Sequence, residues 1–217
     1  MYKACIFDLD GTLTDTLESL TYSVNKTLKE LELAEITSEQ CKSFVGNGAH
    51  YLIEQALKAS GDVELWHIEK AMEIYGRVFK ENCTYHVEPY KGIQEMLKTL
   101  RASGIKLAVL SNKPHLQTLD VISSFFEADM FTYVQGQLDG IPRKPDPSAI
   151  WMIAEKLQVK IGECIYVGDS EVDMQTANTA GVMSVGVTWG FRSRQVLEEN
   201  GAKHTINHPE ELISIIK

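Results

Sequence analysis

The chain has little with which to cross-link itself, enter a membrane or bind a polyanion. Its 217 residues hold four cysteines, Cys5, Cys41, Cys83 and Cys164, and none lies in a Cys-x-x-Cys pair. Buried, reduced thiols that pack as small apolar side chains are therefore expected. No apolar run approaches the roughly 18 residues that span a bilayer, so no membrane partner is expected. The N-terminus lacks a basic region followed by a long apolar stretch, so no secretory leader is expected either. There is no Lys/Arg-rich stretch and the formal net charge is −9, which leaves no basic face for nucleic acid or a membrane surface. A reducing cytoplasmic location fits these absences. Repeats, low-complexity tracts and long linkers are also missing.

What is present is ordinary globular composition, 44% hydrophobic and 24% charged. A chain this long buries about 70% of its unfolded surface and needs no staples. Five short apolar segments predict strands: Ala4–Phe7, Lys106–Leu110, Phe131–Val134, Cys164–Val167 and Met183–Val187. Helical spacing predicts helices over Ile93–Ala102, Leu116–Phe126, Pro147–Leu157 and Val172–Ala180, two of them stopped by Gly104 and Gly181. Strands alternating with helices predict a parallel, Rossmann-like α/β sheet with right-handed crossovers. Between Asp15 and Glu88 the rhythm changes to helices alone, over Leu17–Leu31, Ser38–Phe44, Ala49–Ala59 and Glu64–Asn82. The predicted organisation is a core of residues 1–15 plus 89–217 and an inserted all-helical cap of residues 16–88. Such an insert suggests a lid that closes over a reaction centre, with a purely structural subdomain as the alternative.

The chemistry gathers at the strand ends. Asp8 and Asp10 follow the first strand in Phe7-Asp8-Leu9-Asp10-Gly11-Thr12, where open α/β sheets collect their ligands. Two buried carboxylates there need a positive partner, and Mg²⁺ is the usual hard cation for oxygen ligands. An ordinary Asp-Gly turn is the plainer explanation. The second strand runs into Ser111-Asn112-Lys113, whose hydroxyl and backbone N–H groups suit phosphate oxygens or a simple turn. Lys144 precedes Pro145 and Pro147, so its ammonium is presented on a stiff segment; a solvated loop lysine is the alternative, and the same holds for Arg143. The fourth strand ends in Gly168-Asp169-Ser170-Glu171-Val172-Asp173. Asp169 and Asp173 are four apart and share a helix face, although capping by Asp169 or Ser170 also explains acids there. Acids at two strand ends, a Ser-Asn turn and a pinned lysine make up a phosphoryl-transfer set. A carboxylate ionised near pH 7 attacks phosphorus without a base, a metal offsets the repulsion, and a second acid handles the leaving-group and water protons.

In order and content these four motifs resemble those of the haloacid dehalogenase superfamily, in its phosphatases with a helical cap after the first motif. The resemblance implies that Asp8 is nucleophile and metal ligand, and that Asp10 is the general acid/base with its carbonyl on Mg²⁺. It further implies that Ser111 and Lys144 bind the transferring phosphoryl group, that Asn112 assists, and that Gly11 and Thr12 complete the phosphate cradle. Asp169 would ligate the metal, with Asp173 supporting it directly or through water. Relatives with phosphonate or sugar-mutase chemistry usually differ at Thr12, which argues mildly against those activities. Thr14 and Thr16 depart from the common pattern, near the entry to the cap. Within the superfamily the chain is most similar to the phosphoglycolate phosphatases, through Val45-Gly46-Asn47-Gly48-Ala49 in the cap and Val187-Thr188-Trp189-Gly190-Phe191-Arg192 near the end. Gly46, Asn47 and Gly48, ahead of the Ala49 helix, offer backbone N–H groups to a substrate carboxylate, or form only a glycine-rich turn.

The implied activity is hydrolysis of a small phosphate monoester such as 2-phosphoglycolate, by a monomer or homodimer. Pyrophosphate, a nucleoside monophosphate and a sugar phosphate are competing substrates, and a phosphomutase shares the machinery. A phospho-acceptor signalling module would use similar acids and lysine, but has no need of Asp10 or a helical insert.

Overall fold

The computed structural model describes residues 1–216. Along the chain come β1 (Ala4–Phe7), β2 (Thr14–Asp15), α1 (Leu17–Glu30), α2 (Ser38–Phe44), α3 (Ala49–Ala59), α4 (Ile68–Asn82) and β3 (Glu88–Pro89). Then follow α5 (Ile93–Ala102), β4 (Lys106–Pro114), α6 (His115–Phe125), β5 (Tyr133–Gln137), α7 (Ser148–Lys156), a 3₁₀ turn at Ile161–Glu163 and β6 (Cys164–Gly168). The last elements are α8 (Glu171–Ala180), β7 (Met183–Val187), α9 (Arg194–Glu199), β8 (His204–Ile206) and α10 (Glu211–Ile216). The chain divides into two compact units, Met1–Asp15 with Pro89–Lys217, and Thr16–Glu88.

The first unit is built on a six-stranded parallel sheet of order β5-β4-β1-β6-β7-β8. β1 is apolar at every position and fully buried, as a central parallel strand requires. On one face Ala4, Ile6, Ala108, Leu110, Cys164 and Tyr166 pack with Ile150, Ile153 and Leu157 from α7 and its C-cap and Ala177 and Ala180 of α8. Residues that point the other way, such as Cys5, Phe7, Leu107 and Val109, are equally buried. The register sets Phe7 level with both Val109 and Val167. Residues just beyond these three therefore emerge side by side.

β4 is longer than its apolar run. The pairing with β5 goes from Leu110↔Gln135 to Pro114↔Gln137, so Ser111, Asn112 and Lys113 oppose Gly136 alone. This bulge turns three polar residues inward while the strand continues. Gly136 permits it: an added Cβ would overlap Thr118 Oγ1 and lie within 2.6 Å of His115 Cα and 2.8 Å of the Lys113 carbonyl oxygen.

Several expectations need correction. The sheet has six strands in place of five, because the short β8 adds to the edge at β7. β5 begins at Tyr133, two residues later than the apolar run, because Phe131 packs edge-on against Phe126 while Tyr133 pairs with Ala108. α4 starts at Ile68, because the Asp62 carboxylate accepts from the Trp66 and His67 N–H groups and turns the chain first.

The second unit contains α1 to α4 around its own core of Leu20, Val24, Leu28, Ile53, Leu57, Tyr75 and Phe79. Thr37 and Gln40 close a reciprocal capping box at the start of α2. All four cysteines are free and buried. Among the described residues no helix is long and apolar enough to cross a membrane.

Candidate active site

Three neighbouring strand ends and one loop build the site. Asp8 follows β1, Ser111–Lys113 occupy the β4 bulge, and Asp169 follows β6, while Lys144 enters from the loop before α7. The Lys144 ammonium lies 3.0 Å from Asp8 Oδ1 and 2.7 Å from Asp173 Oδ1. It also donates to the Tyr166 hydroxyl, 3.0 Å away. That hydroxyl is within 3.1 Å of both Asp173 Oδ1 and the Leu110 carbonyl. The backbone of Lys144 is gripped by Asn112, whose Oδ1 accepts the Lys144 N–H at 2.9 Å and whose Nδ2 donates to the Lys144 carbonyl at 3.0 Å. The ammonium is thus fixed from both ends in a site it would otherwise leave for water.

Asp8 Oδ1 accepts a further bond from the Leu9 N–H at 2.7 Å. Asp169 is held through both oxygens, Oδ1 by the Thr12 hydroxyl at 3.1 Å and Oδ2 by the Phe191 N–H at 2.7 Å. Asp173 caps α8 together with Ser170: Ser170 Oγ accepts the Asp173 N–H, and Asp173 Oδ2 accepts the Ser170 N–H and hydroxyl. Gly168 lets the Asp173 side chain lie directly against β6, since a Cβ there would overlap it.

Asp8, Asp169 and Asp173 bring carboxylate oxygens within 4.8 Å of one another, all three buried. Burial, then the Asp173 charge, pushes the Asp8 carboxyl well above its usual range, although Lys144 pulls it back. Burial and Asp173 raise Asp169 to about 7. Burial opposes the Lys144 charge, but Asp173 and Asp8 outweigh it and keep its pKa well above the ordinary lysine value. The ordinary aspartate pKa on which the sequence argument relied therefore does not hold at Asp8. Three carboxylates against one ammonium leave a formal surplus of two negative charges. A hard divalent cation with oxygen ligands matches that surplus.

Of the residues singled out by sequence, Asp8, Lys144, Asp169, Asp173, Thr12 and Asn112 come together. Thr12 and Asn112 spend their side chains on Asp169 and Lys144. Gly11, at φ +81°, makes the turn after β1; any Cβ there would overlap Asp169. Ser111 Oγ accepts the Lys113 N–H at 3.2 Å in the bulge. The Asp10 carboxylate stands apart from the three acids and pairs with Lys113 at 2.9 Å. Gly46, Asn47 and Gly48 lie in the helical unit at the α2–α3 turn, Gly48 being the N-cap of α3.

Sequence reasoning gave no role to Lys113 or Tyr166. Lys113 is 1% exposed at its side chain, and its only sequence signal is adjacency to Ser111-Asn112. Tyr166 reads as one more aromatic core residue, until its hydroxyl is seen between Lys144 and Asp173.

The chain is similar to known proteins over most of its length. A family model described as "Haloacid dehalogenase-like hydrolase" matches residues 5–187. A phosphoglycolate phosphatase of Colwellia psychrerythraea is 31% identical, over 99% of this chain and 97% of its own length. One from Pseudomonas syringae pv. tomato is 33% identical over 92% of this chain and 75% of its length. A crystal structure from Lactobacillus delbrueckii subsp. bulgaricus, provisionally described as a phosphoglycolate phosphatase, superposes with a TM-score of 0.91 at 31% identity, covering 99% of this chain and 98% of that one.

Proposed function

Because this chain belongs to the haloacid dehalogenase-like hydrolases, we propose that it is a Mg²⁺-dependent enzyme that hydrolyses a small acidic phosphate monoester, 2-phosphoglycolate or a close analogue, by way of phosphate carried on Asp8. That it is a phosphoric monoester hydrolase follows from the family and from relatives that cover almost the whole chain. The observation that carries the finer reading is the cluster of three buried carboxylates after β1, after β6 and in the first turn of α8, formally two negative charges in excess of Lys144. Asp8 and Asp169 would hold the cation with their carboxylates and Asp10 with its backbone carbonyl. When bound, Mg²⁺ would supply the charge that keeps Asp8 ionised and that screens it from an incoming phosphate.

In this reading Asp8 attacks phosphorus with the oxygen that Lys144 does not hold, and the ester oxygen departs. Asp10 protonates that leaving oxygen and later takes a proton from the attacking water. Lys144 and Ser111 stabilise charge on the equatorial oxygens. Asn112 and Tyr166 orient Lys144; Asp173 anchors it, which favours an indirect role for Asp173 over direct ligation, since each of its oxygens already meets two donors of the chain where each Asp169 oxygen meets one. Residues 16–88 act as the substrate-selecting cap. Gly46, Asn47 and Gly48, ahead of an α3 first turn that has no acidic residue, are the candidates for a substrate carboxylate.

A panel of phosphate esters assayed with and without Mg²⁺ tests the proposal. 2-Phosphoglycolate should be among the best substrates, chelation should stop turnover reversibly, and Asp8→Asn should abolish it while leaving the circular dichroism spectrum unchanged. Metal-independent hydrolysis would reject the metal assignment, and substantial Asp8→Asn activity would reject covalent catalysis.

A further inference from the structure

The segment Thr188–Arg192, between β7 and α9, supplies no group to the proposed chemistry, yet it meets the site at three places. The Trp189 indole Nε1–H donates to the Thr12 carbonyl at 3.0 Å. The Phe191 N–H donates to Asp169 Oδ2 at 2.7 Å. Arg192 Nε pairs at 2.9 Å with Glu171 Oε2, in the first turn of α8, and both side chains are largely shielded from water. Gly190 sits between these anchors, where a Cβ would overlap the Gly11 carbonyl oxygen and the Asp169 side chain. From the opposite side, a Cβ on Gly11 would overlap Asp169 Oδ2 and reach 2.9 Å from Phe191 Cδ2. Two glycines therefore allow two backbones to close on one carboxylate.

The consequence is geometric. Asp169 has one oxygen tied to the turn after β1, through Thr12, and the other tied to the segment after β7. Two bonds on different oxygens fix the plane of a carboxylate. Trp189 then ties the segment back to Thr12 itself, so the two supports are linked to each other. Hydrogen-bond partners that orient a ligating carboxylate typically govern metal affinity by about 10–100-fold.

We propose that Trp189, Gly190 and Phe191 are positioning residues that set the plane of the Asp169 carboxylate against the Gly11–Thr12 turn, and so set the affinity of the site for a divalent cation. The inference rests on the Mg²⁺ reading given above.

Calorimetric titration of Mg²⁺ alone into the metal-free, full-length protein tests it, with thermal unfolding of each metal-free variant recorded in parallel. Trp189→Phe keeps an aromatic ring and removes the donor; Gly190→Ala inserts the excluded Cβ. Trp151→Phe is the matched control, since its indole donates to the Ala180 carbonyl at 3.1 Å, between α7 and α8. Gly190→Ala should weaken Mg²⁺ binding about 10–100-fold and Trp189→Phe about 10-fold, with Trp151→Phe at the wild-type affinity. A Trp189→Phe protein as stable as Trp151→Phe but weaker in Mg²⁺ binding separates positioning from plain structural support. Wild-type affinity in a folded Trp189→Phe protein overturns the proposal, whether or not Gly190→Ala folds. A wild-type protein that binds no Mg²⁺ overturns the metal reading itself and this inference with it.

Discussion

Asp10 is held in place by a cation of its own. Its Oδ1 lies 2.9 Å from the buried Lys113 ammonium, and it is not one of the three acids clustered at Asp8, Asp169 and Asp173. In the proposed mechanism this gives the proton shuttle a different counter-charge from that of the nucleophile, Lys113 for Asp10 and Lys144 for Asp8. Asp10→Asn should still accept phosphate on Asp8 but should release it about 10²–10⁴-fold more slowly, the usual worth of a positioned acid/base. Rapid-quench detection of an acid-stable protein-bound phosphate checks this; wild-type turnover would remove Asp10 from proton transfer. At this scale the acids and the lysine that meet in the site were legible as an ordered set, because each motif alone also reads as a turn, a cap or a solvated loop while the four together share no such explanation. Their supports were not. The Lys113 side chain has no role in the sequence pattern, and Tyr166 reads as core, because only the fold brings their polar tips to partners.

At the scale of the element, the β4 bulge decides where the second motif points. Ser111, Asn112 and Lys113 are three residues against one, and Gly136 opposite them has no room for a side chain. Gly136→Ala should destabilise the protein by about 1–3 kcal/mol, the usual cost of overpacking. Urea denaturation reads that cost. Activity at a temperature where the variant is fully folded should fall as well, because the bulge positions Asn112, which grips Lys144; full activity there would detach the bulge from the site. The apolar run Lys106–Leu110 marked the strand but not its continuation, since polar residues in a bulge carry no periodic signal. The strand β8 escaped for a related reason. Three residues with one buried become a strand only because β7 offers an open edge.

For the molecule as a whole, the buried acidic cluster ties stability to pH, and in the proposed reading to metal as well. Asp169 titrates near 7 in the folded chain against about 3.9 when unfolded. Between these values the folded state holds a proton that the unfolded state has lost, so the cluster's contribution to stability falls as pH rises from about 4 to about 7. In metal-free protein, Asp169→Asn should therefore gain in melting temperature relative to wild type as pH rises across that window. If Mg²⁺ binds as proposed and takes the place of the proton, it should stabilise wild type more at pH 8 than at pH 5. Scanning calorimetry at both pH values, with and without Mg²⁺, reads both effects; a pH-independent difference would mean that Asp169 is not the titrating group.

The sequence by itself determined the class of fold and the chemical set. Apolar runs alternating with amphipathic stretches leave a parallel α/β sheet as the economical burial, and four motifs in order pointed to phosphoryl-transfer chemistry. Tertiary structure alone decided what each polar atom does. Register sets Phe7, Val109 and Val167 level and so brings residues from β1, β4 and β6 to one edge. Whether Asp173 faces a cation or Lys144, and whether Asn112 faces phosphate or backbone, depends on ångström-scale hydrogen-bond geometry. A one-dimensional pattern does not encode that geometry, because burial and partner are properties of the packed chain.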